Sequence, residues 1–143
     1  MAGKGVGDIF LVNVPIPDPI LAAAPSGTDV GLLLVPCGFS ISVELLSISV
    51  GANVLAIDGT DPVTLDIEFR DVSAGTTANL VAAQDLEVTG LNVAPGGTTI
   101  WRGSQILDSD DALNAEFTRT TPDTAGQGYH IVLECRLVAR SGD

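Results

Sequence analysis

Residues 62–70 read PVTLDIEFR. Val63, Leu65, Ile67 and Phe69 alternate with Thr64, Asp66, Glu68 and Arg70, apolar against polar at every step. A β-strand sends successive side chains to opposite faces, so the stretch predicts a strand with one buried and one wet face. Wound into a helix, the same four apolar residues would scatter around the axis without forming a stripe. Turn chemistry brackets the strand, with DGTDP at 58–62 before it and DVSAGTT at 71–77 after it.

The same period recurs outward along the chain. Residues 39–45 (FSISVEL) carry apolar side chains at odd positions, whereas beyond Leu45 the apolar residues are Leu46, Ile48 and Val50, with Ser47 and Ser49 polar. A one-residue slip of this kind is what a β-bulge produces, or a bend at which a strand passes between sheets; a strand buried on both faces is the alternative. In the closing stretch Tyr129, Ile131, Leu133, Cys135 and Leu137 line one face, while His130, Glu134 and Arg136, with Val132 and Val138, line the other. Ala115 and Phe117 face opposite to Glu116 and Thr118, and this strand is expected to pair with the closing one as a hairpin across 120–128. Phe39, Phe69 and Phe117 all fall in core phase. Residues 98–107 read as a short strand interrupted by Gly103, with a further short strand possible at 91–93. Only 79–86 (NLVAAQDL) has helical spacing, through Leu80, Ala83 and Leu86, over about two turns.

Roughly seven to nine candidate strands separated by Gly, Pro, Asp and Thr turns predict an all-β fold, an antiparallel β-sandwich of jelly-roll type. The 143 residues suit one domain, with an extended N-terminal arm over 1–29 and the sandwich over 30–143. Within the arm, residues 9–14 suit a strand at a sheet edge. Pro15, Pro17 and Pro19 then remove backbone donors and enforce an extended course. The arm reads either as a linker or as a clasp on a partner chain. Its apolar residues Ile9, Phe10, Val12, Ile16, Ile20 and Leu21 are the protein-interface candidates.

Eighteen acidic residues against six basic give a net charge of −12. Such a surface repels phosphate backbones and anionic lipid, so neither nucleic acid nor a membrane surface is an expected partner. No stretch approaches the roughly eighteen apolar residues of a membrane span, and the first residues lack the long apolar core of a signal peptide. Cys37 and Cys135 lie in or beside apolar runs and read as buried free thiols, bridged only if their strands are neighbours.

Catalytic signals are missing. His130 is the only histidine, and no nucleophile elbow, zinc-protease, phosphate-loop or dinucleotide motif accompanies it, so it reads as a surface or interface residue. No enzyme activity and no cofactor are expected. Asp108, Asp110 and Asp111 form the densest acidic run and are a weak calcium candidate, since the central glycine and closing glutamate of an EF-hand loop are absent. Asp58 and Asp61 are a weaker one. Asp66 and Glu68 share a strand face and could serve glycosidic acid–base chemistry, but the chain offers few aromatics to line a sugar cleft. Trp101 is a possible exposed aromatic; core, rim and sugar-stacking platform are its three readings. Ser40, Ser42, Ser47 and Ser49 make a small-side-chain sheet face that another subunit could approach closely.

The pieces GLLLVPCGFSISVELLSISVG (31–51), TLDIEFR (64–70), NLVAAQDL (79–86), IWRGSQIL (100–107) and GYHIVLECRLV (128–138) together resemble the jelly-roll decoration and head-fibre-base proteins of tailed bacteriophage heads. The resemblance implies a non-enzymatic virion structural protein, a capsid decoration or cementing protein on the outer head surface, assembled in the host cytoplasm. It implies binding to the major capsid protein or other virion proteins as a homo-oligomer such as a trimer, with residues 9–21 as the clasping arm. It supplies no catalytic residues. The alternative is a carbohydrate-binding or adhesion β-sandwich module.

Overall fold

Val63, Leu65, Ile67 and Phe69 are all buried, while Thr64, Asp66 and Glu68 are half-buried and Arg70 exposed. This is the two-faced strand that the alternation demands. In the computed structural model, which describes residues 7–17, 28–53, 63–86, 97–118 and 127–139, it is β4 (Thr64–Asp71). The other strands are β1 (Ile9–Pro15), β2 (Thr28–Leu34), β3 (Ile41–Gly51), β5 (Thr76–Asp85), β6 (Thr98–Leu107), β7 (Ala112–Thr118) and β8 (His130–Ala139). They form two four-stranded antiparallel sheets, ordered β1-β8-β3-β6 and β2-β7-β4-β5. The inner faces of both contribute to one apolar cluster, a β-sandwich arrangement.

The pairing has a simple logic. β1 pairs with β8, β2 with β7, β3 with β6 and β4 with β5, so the chain is a long two-stranded ribbon doubled back at the β4–β5 turn. Two more pairings, β3 with β8 and β4 with β7, join ribbon segments side by side. Only β4 and β5 are neighbours both in sequence and in a sheet; every other connection passes between sheets. This corrects the expected hairpin of the Phe117 strand with the closing strand. β7 lies between β2 and β4, and β8 between β1 and β3. Both strands alternate, and alternation alone does not name a partner.

The phase slip in β3 is a bulge. The register with β8 runs Leu45↔Cys135 and then Ser47↔Glu134, so Leu46 has no partner there. Leu45, Ile48 and Val50 are thereby all buried in the core. The start of this segment departs from the reading. Phe39 is 55% and Ile41 37% exposed; with Val43 and Leu137 they line an apolar groove of about 370 Å³.

The helical reading of 79–86 is also corrected. These residues belong to β5 and its end, paired to β4 with register shifts between Leu65, Ile67 and Glu68. Ala83 adopts a left-handed φ of 50°, and its N–H donates to Asp66 Oδ1 at 2.5 Å. Val81 and Leu86 are buried and Ala83 is exposed, so the bulge rather than a helical face decides which residues turn inward. At the amino-terminal side, 9–15 is the edge strand expected from its pattern, but it is an integral strand of the sandwich.

A buried polar contact ties the two sheets. Tyr129, leading into β8, donates from its hydroxyl to the Leu86 carbonyl at 2.6 Å, while Leu86 N–H donates to the Val63 carbonyl at 2.9 Å. Replacing Tyr129 by Phe keeps the ring and strands a buried carbonyl, so the variant is expected to lose about 1–2 kcal/mol in urea unfolding. An unchanged midpoint would show that the contact contributes nothing.

Candidate functional site

The acidic run proves to be a clamp. Asp111 is 4% exposed. Its Oδ1 accepts from Val72 N–H at 3.1 Å and its Oδ2 from Asp108 N–H at 2.9 Å. Around it, Val35 N–H donates to the Asp111 carbonyl at 3.0 Å and Asp110 N–H to the Val35 carbonyl at 2.8 Å. Ser42 Oγ donates to Asp108 Oδ1; Ser109 Oγ donates to the Pro36 carbonyl at 3.1 Å and accepts from Gly38 N–H at 2.6 Å. Asp110 is exposed, with a φ of 72°. The turn thus stitches three segments at one end of the sandwich. The carboxylates of Asp108 and Asp111 are engaged by the chain's own donors, and among the described residues no cluster of three or more His, Cys, Asp or Glu side chains is arranged to hold a metal ion. Asp58 and Asp61 lie outside the described residues.

On the outer face of β1-β8-β3-β6, polar side chains bond across every strand boundary. Glu44 is buried between Arg136, whose Nε donates to Oε1 at 2.8 Å and whose Nη2 also reaches it, and Ser104, whose Oγ donates to Oε2. The Ser104 hydroxyl and then the Arg136 guanidinium hold the Glu44 carboxyl below its ordinary value. Ser47 Oγ donates to Glu134 Oε1 at 3.4 Å, Ser49 and Thr99 hydroxyls meet at 3.1 Å, and His130 Nδ1 lies 3.1 Å from Asn13 Oδ1. The small serines therefore serve the sheet's own network, and His130 is an outer-face residue with no nucleophile beside it.

The outer face of β2-β7-β4-β5 is different. Glu116 is in register with Asp29 on one side and Asp66 on the other, and Glu68 lies one step along. Partial burial, then the charges of Asp29, Glu68 and Asp66, push the Glu116 carboxyl above its ordinary value. Asp66 and Glu68 thus stand on an open sheet face. The apolar groove belongs to the other sheet and has no carboxylate in its lining.

Trp101 is half-buried against the core. Its indole lies over Gly103, where an added Cβ would sit 2.8 Å from Cζ2, so the ring's place depends on that glycine. The rim reading fits this geometry best. Cys135 is buried, and burial pushes its thiol up to about 11; Cys37 is exposed, which corrects the buried reading, and both thiols are free. Of the interface candidates, Ile9 is 54% exposed, whereas Phe10 and Val12 are half-buried on the core side of β1 and Ile16 is 3% exposed inside the core. Ile20 and Leu21 lie outside the described residues. Leu11, absent from the candidates, is 67% exposed; the period of β1 alone, with Phe10 and Val12 inward, would have placed it beside Ile9 on the outer face.

The two carboxyls predict opposite pH behaviour. The lowered pKa of Glu44 contributes stability that is present above pH 4.5 and lost as pH falls through the folded value; the raised pKa of Glu116 is a penalty in force at neutral pH and relieved as pH falls. Glu44→Gln is expected to lower the urea midpoint at pH 7 and Glu116→Gln to raise it, with both differences shrinking toward pH 3. Differences that hold constant with pH would trace them to shape rather than charge. For the aromatic rim, Gly103→Ala is expected to displace the single tryptophan, red-shifting its emission and costing about 1–3 kcal/mol. Unshifted emission would mean that the ring does not rest on residue 103.

Comparison with protein-family models, curated proteins and solved structures yields no match.

Proposed function

We propose that the protein is a non-enzymatic structural protein of a virion, a decoration or cementing protein of jelly-roll type that binds the outer head surface through protein–protein contacts as a homo-oligomer. The jelly-roll reading is supported by the strand order β1-β8-β3-β6 over β2-β7-β4-β5. Four nested antiparallel pairs rolled into two four-stranded sheets are what a pair of Greek keys gives. The sequence resemblance to phage head proteins points the same way.

One observation carries the functional reading. The outward polar groups of β1-β8-β3-β6 bond to one another instead of converging on a cleft, while Ile9 and Leu11 stand exposed at the same sheet's edge. That is a surface suited to a protein partner such as the major capsid protein, rather than to a small molecule. Half-buried Trp101, resting on its own Gly103, gives no particular weight to a sugar-stacking role.

Immunogold electron imaging of virions from the source of the chain tests the proposal. Label is expected over the outer head surface, and heads depleted of the protein are expected to lose integrity at lower temperature. Label confined to fibres or tails, or no label on particles, overturns it. Glycan binding by the soluble chain that disappears in Trp101→Ala would transfer the assignment to an adhesion module.

A further inference from the structure

The two sheets have four edge strands, β1, β6, β2 and β5. Three are irregular. β2 shifts register between Gly31 and Leu33, β5 shifts twice and carries the left-handed Ala83, and β6 meets β3 with shifts at Leu45/Ser47 and Ile48/Ser49. Bulges of this kind blunt an edge against pairing with another chain. β1 has none. Its register with β8 runs unbroken from Ile9↔Arg136 to Pro15↔His130.

The free side of β1 is equipped for pairing. Ile16 N–H donates to the Tyr129 carbonyl at 2.9 Å. Counting back by twos in an antiparallel ladder, Val14, Val12 and Phe10 also direct their backbone groups to β8. Ile9, Leu11 and Asn13 therefore point theirs to the open side. Pro15 falls in that outward phase, so its missing N–H costs the β8 ladder nothing and ends the open stretch. No charged residue occurs from Ile9 to Pro15, and Leu11, at 67%, is the most exposed large apolar residue among those described.

We propose that β1 is a strand-addition edge for a second copy of this chain, β1 against β1 about a two-fold axis at Leu11, joining two β1-β8-β3-β6 sheets into one continuous sheet. The symmetry of the outward phase about Leu11 selects this occupant, and charge restricts where a copy can dock. A chain of net charge −12 repels its own copy over much of its surface, and the row of Asp29, Glu116 and Asp66 would meet its like in any dimer through the other sheet's outer face. β1 is uncharged; on β8 beside it, Arg136 opposite Ile9 is paired with Glu44, and Glu134 opposite Leu11 accepts from Ser47 Oγ on its far side. The outward phase fixes the register: Leu11 opposite Leu11 of the copy, and Ile9 opposite Asn13. This supplies roughly six backbone hydrogen bonds and brings the exposed Ile9 and Leu11 of each copy together on one face. The self-pairing gives a site to the homo-oligomer part of the reading above, and it does not require that the particle be a virion.

Sedimentation of the full chain over a concentration series is the test. A reversible rise from 14.6 kDa toward twice that mass is expected, weakened at least tenfold by Leu11→Lys. Since Leu11 is exposed, the thermal midpoint of that variant measured at a concentration where both chains are monomeric should match wild type. In a Cys37→Ser background, Leu11→Cys is expected to form a disulfide with its copy under mild oxidation, because facing residues of a hydrogen-bonded pair lie within bridging range. Ile9→Cys alone should not. Three outcomes overturn the proposal: a monomer at every concentration, an association that Leu11→Lys leaves unchanged, or equal cross-linking through Ile9→Cys and Leu11→Cys. A monomer that nevertheless takes up an unrelated extended apolar peptide would assign the edge to a different partner. A dimer behaving as expected, with no label on virions, would retain the self-pairing and remove the virion.

Discussion

The sandwich depends on burying the apolar faces of two sheets against each other, and a strand can contribute to such a core only while its period of two stays in phase. β3 is the longest strand and has a partner on each side, β8 and β6. Its sequence cannot keep one phase from end to end. Leaving Leu46 unpaired against β8 solves the conflict, since Leu45 on one side of the bulge and Ile48 and Val50 on the other all reach the core. Without the slip, Ser47 and Ser49 would face inward and Ile48 and Val50 outward, an exchange of hydroxyls for aliphatic groups in the middle of the sheet. The bulge in β5 does similar work at the opposite corner, with Asp66 holding the N–H of the displaced Ala83.

The two outer faces are organised on opposite electrostatic principles. On β1-β8-β3-β6 each acid that faces outward near the centre has a donor beside it, and Glu44 has two. That face is close to electrically closed and costs little to cover. On β2-β7-β4-β5 three carboxylates oppose one another across neighbouring strands, an arrangement that works against folding because like charges face each other directly. Among the described residues, the carboxylates that face one another lie on one layer, and Ile9 and Leu11 stand exposed at the edge of the other.

Much of this was visible along the chain. The two-faced character of 63–70, the inward set Tyr129, Ile131, Leu133 and Cys135, and the slip after Leu45 all follow from side-chain alternation, which is a property of a strand by itself. The failures share a cause as well. Phe39 precedes β3, which begins at Ile41, and so escapes the burial that the strand's phase imposes. In NLVAAQDL a bulge rather than a helical face decides which residues turn inward. The bonds made by Asp108 and Asp111 were not legible along the chain, because their donors, Ser42 and Val72 among them, are far away in sequence.

Composition and alternation were sufficient for an all-β chain built of two-faced strands, and for its net negative charge. Those are local or summed quantities that need no knowledge of neighbours. Which strand lies beside which, and so which edge stays open and which carboxylate is satisfied, came from contacts between residues far apart, such as Glu44 with Arg136 and Tyr129 with Leu86. Many pairings of such strands would bury comparable apolar area. The choice among them rests on how bulges, turns and cross-strand polar bonds fit simultaneously in three dimensions, and only the folded chain expresses that fit. β1 shows the division most clearly: its apolar run was legible at once, but the open backbone edge beside it exists only because β8 pairs on one side and no described strand pairs on the other.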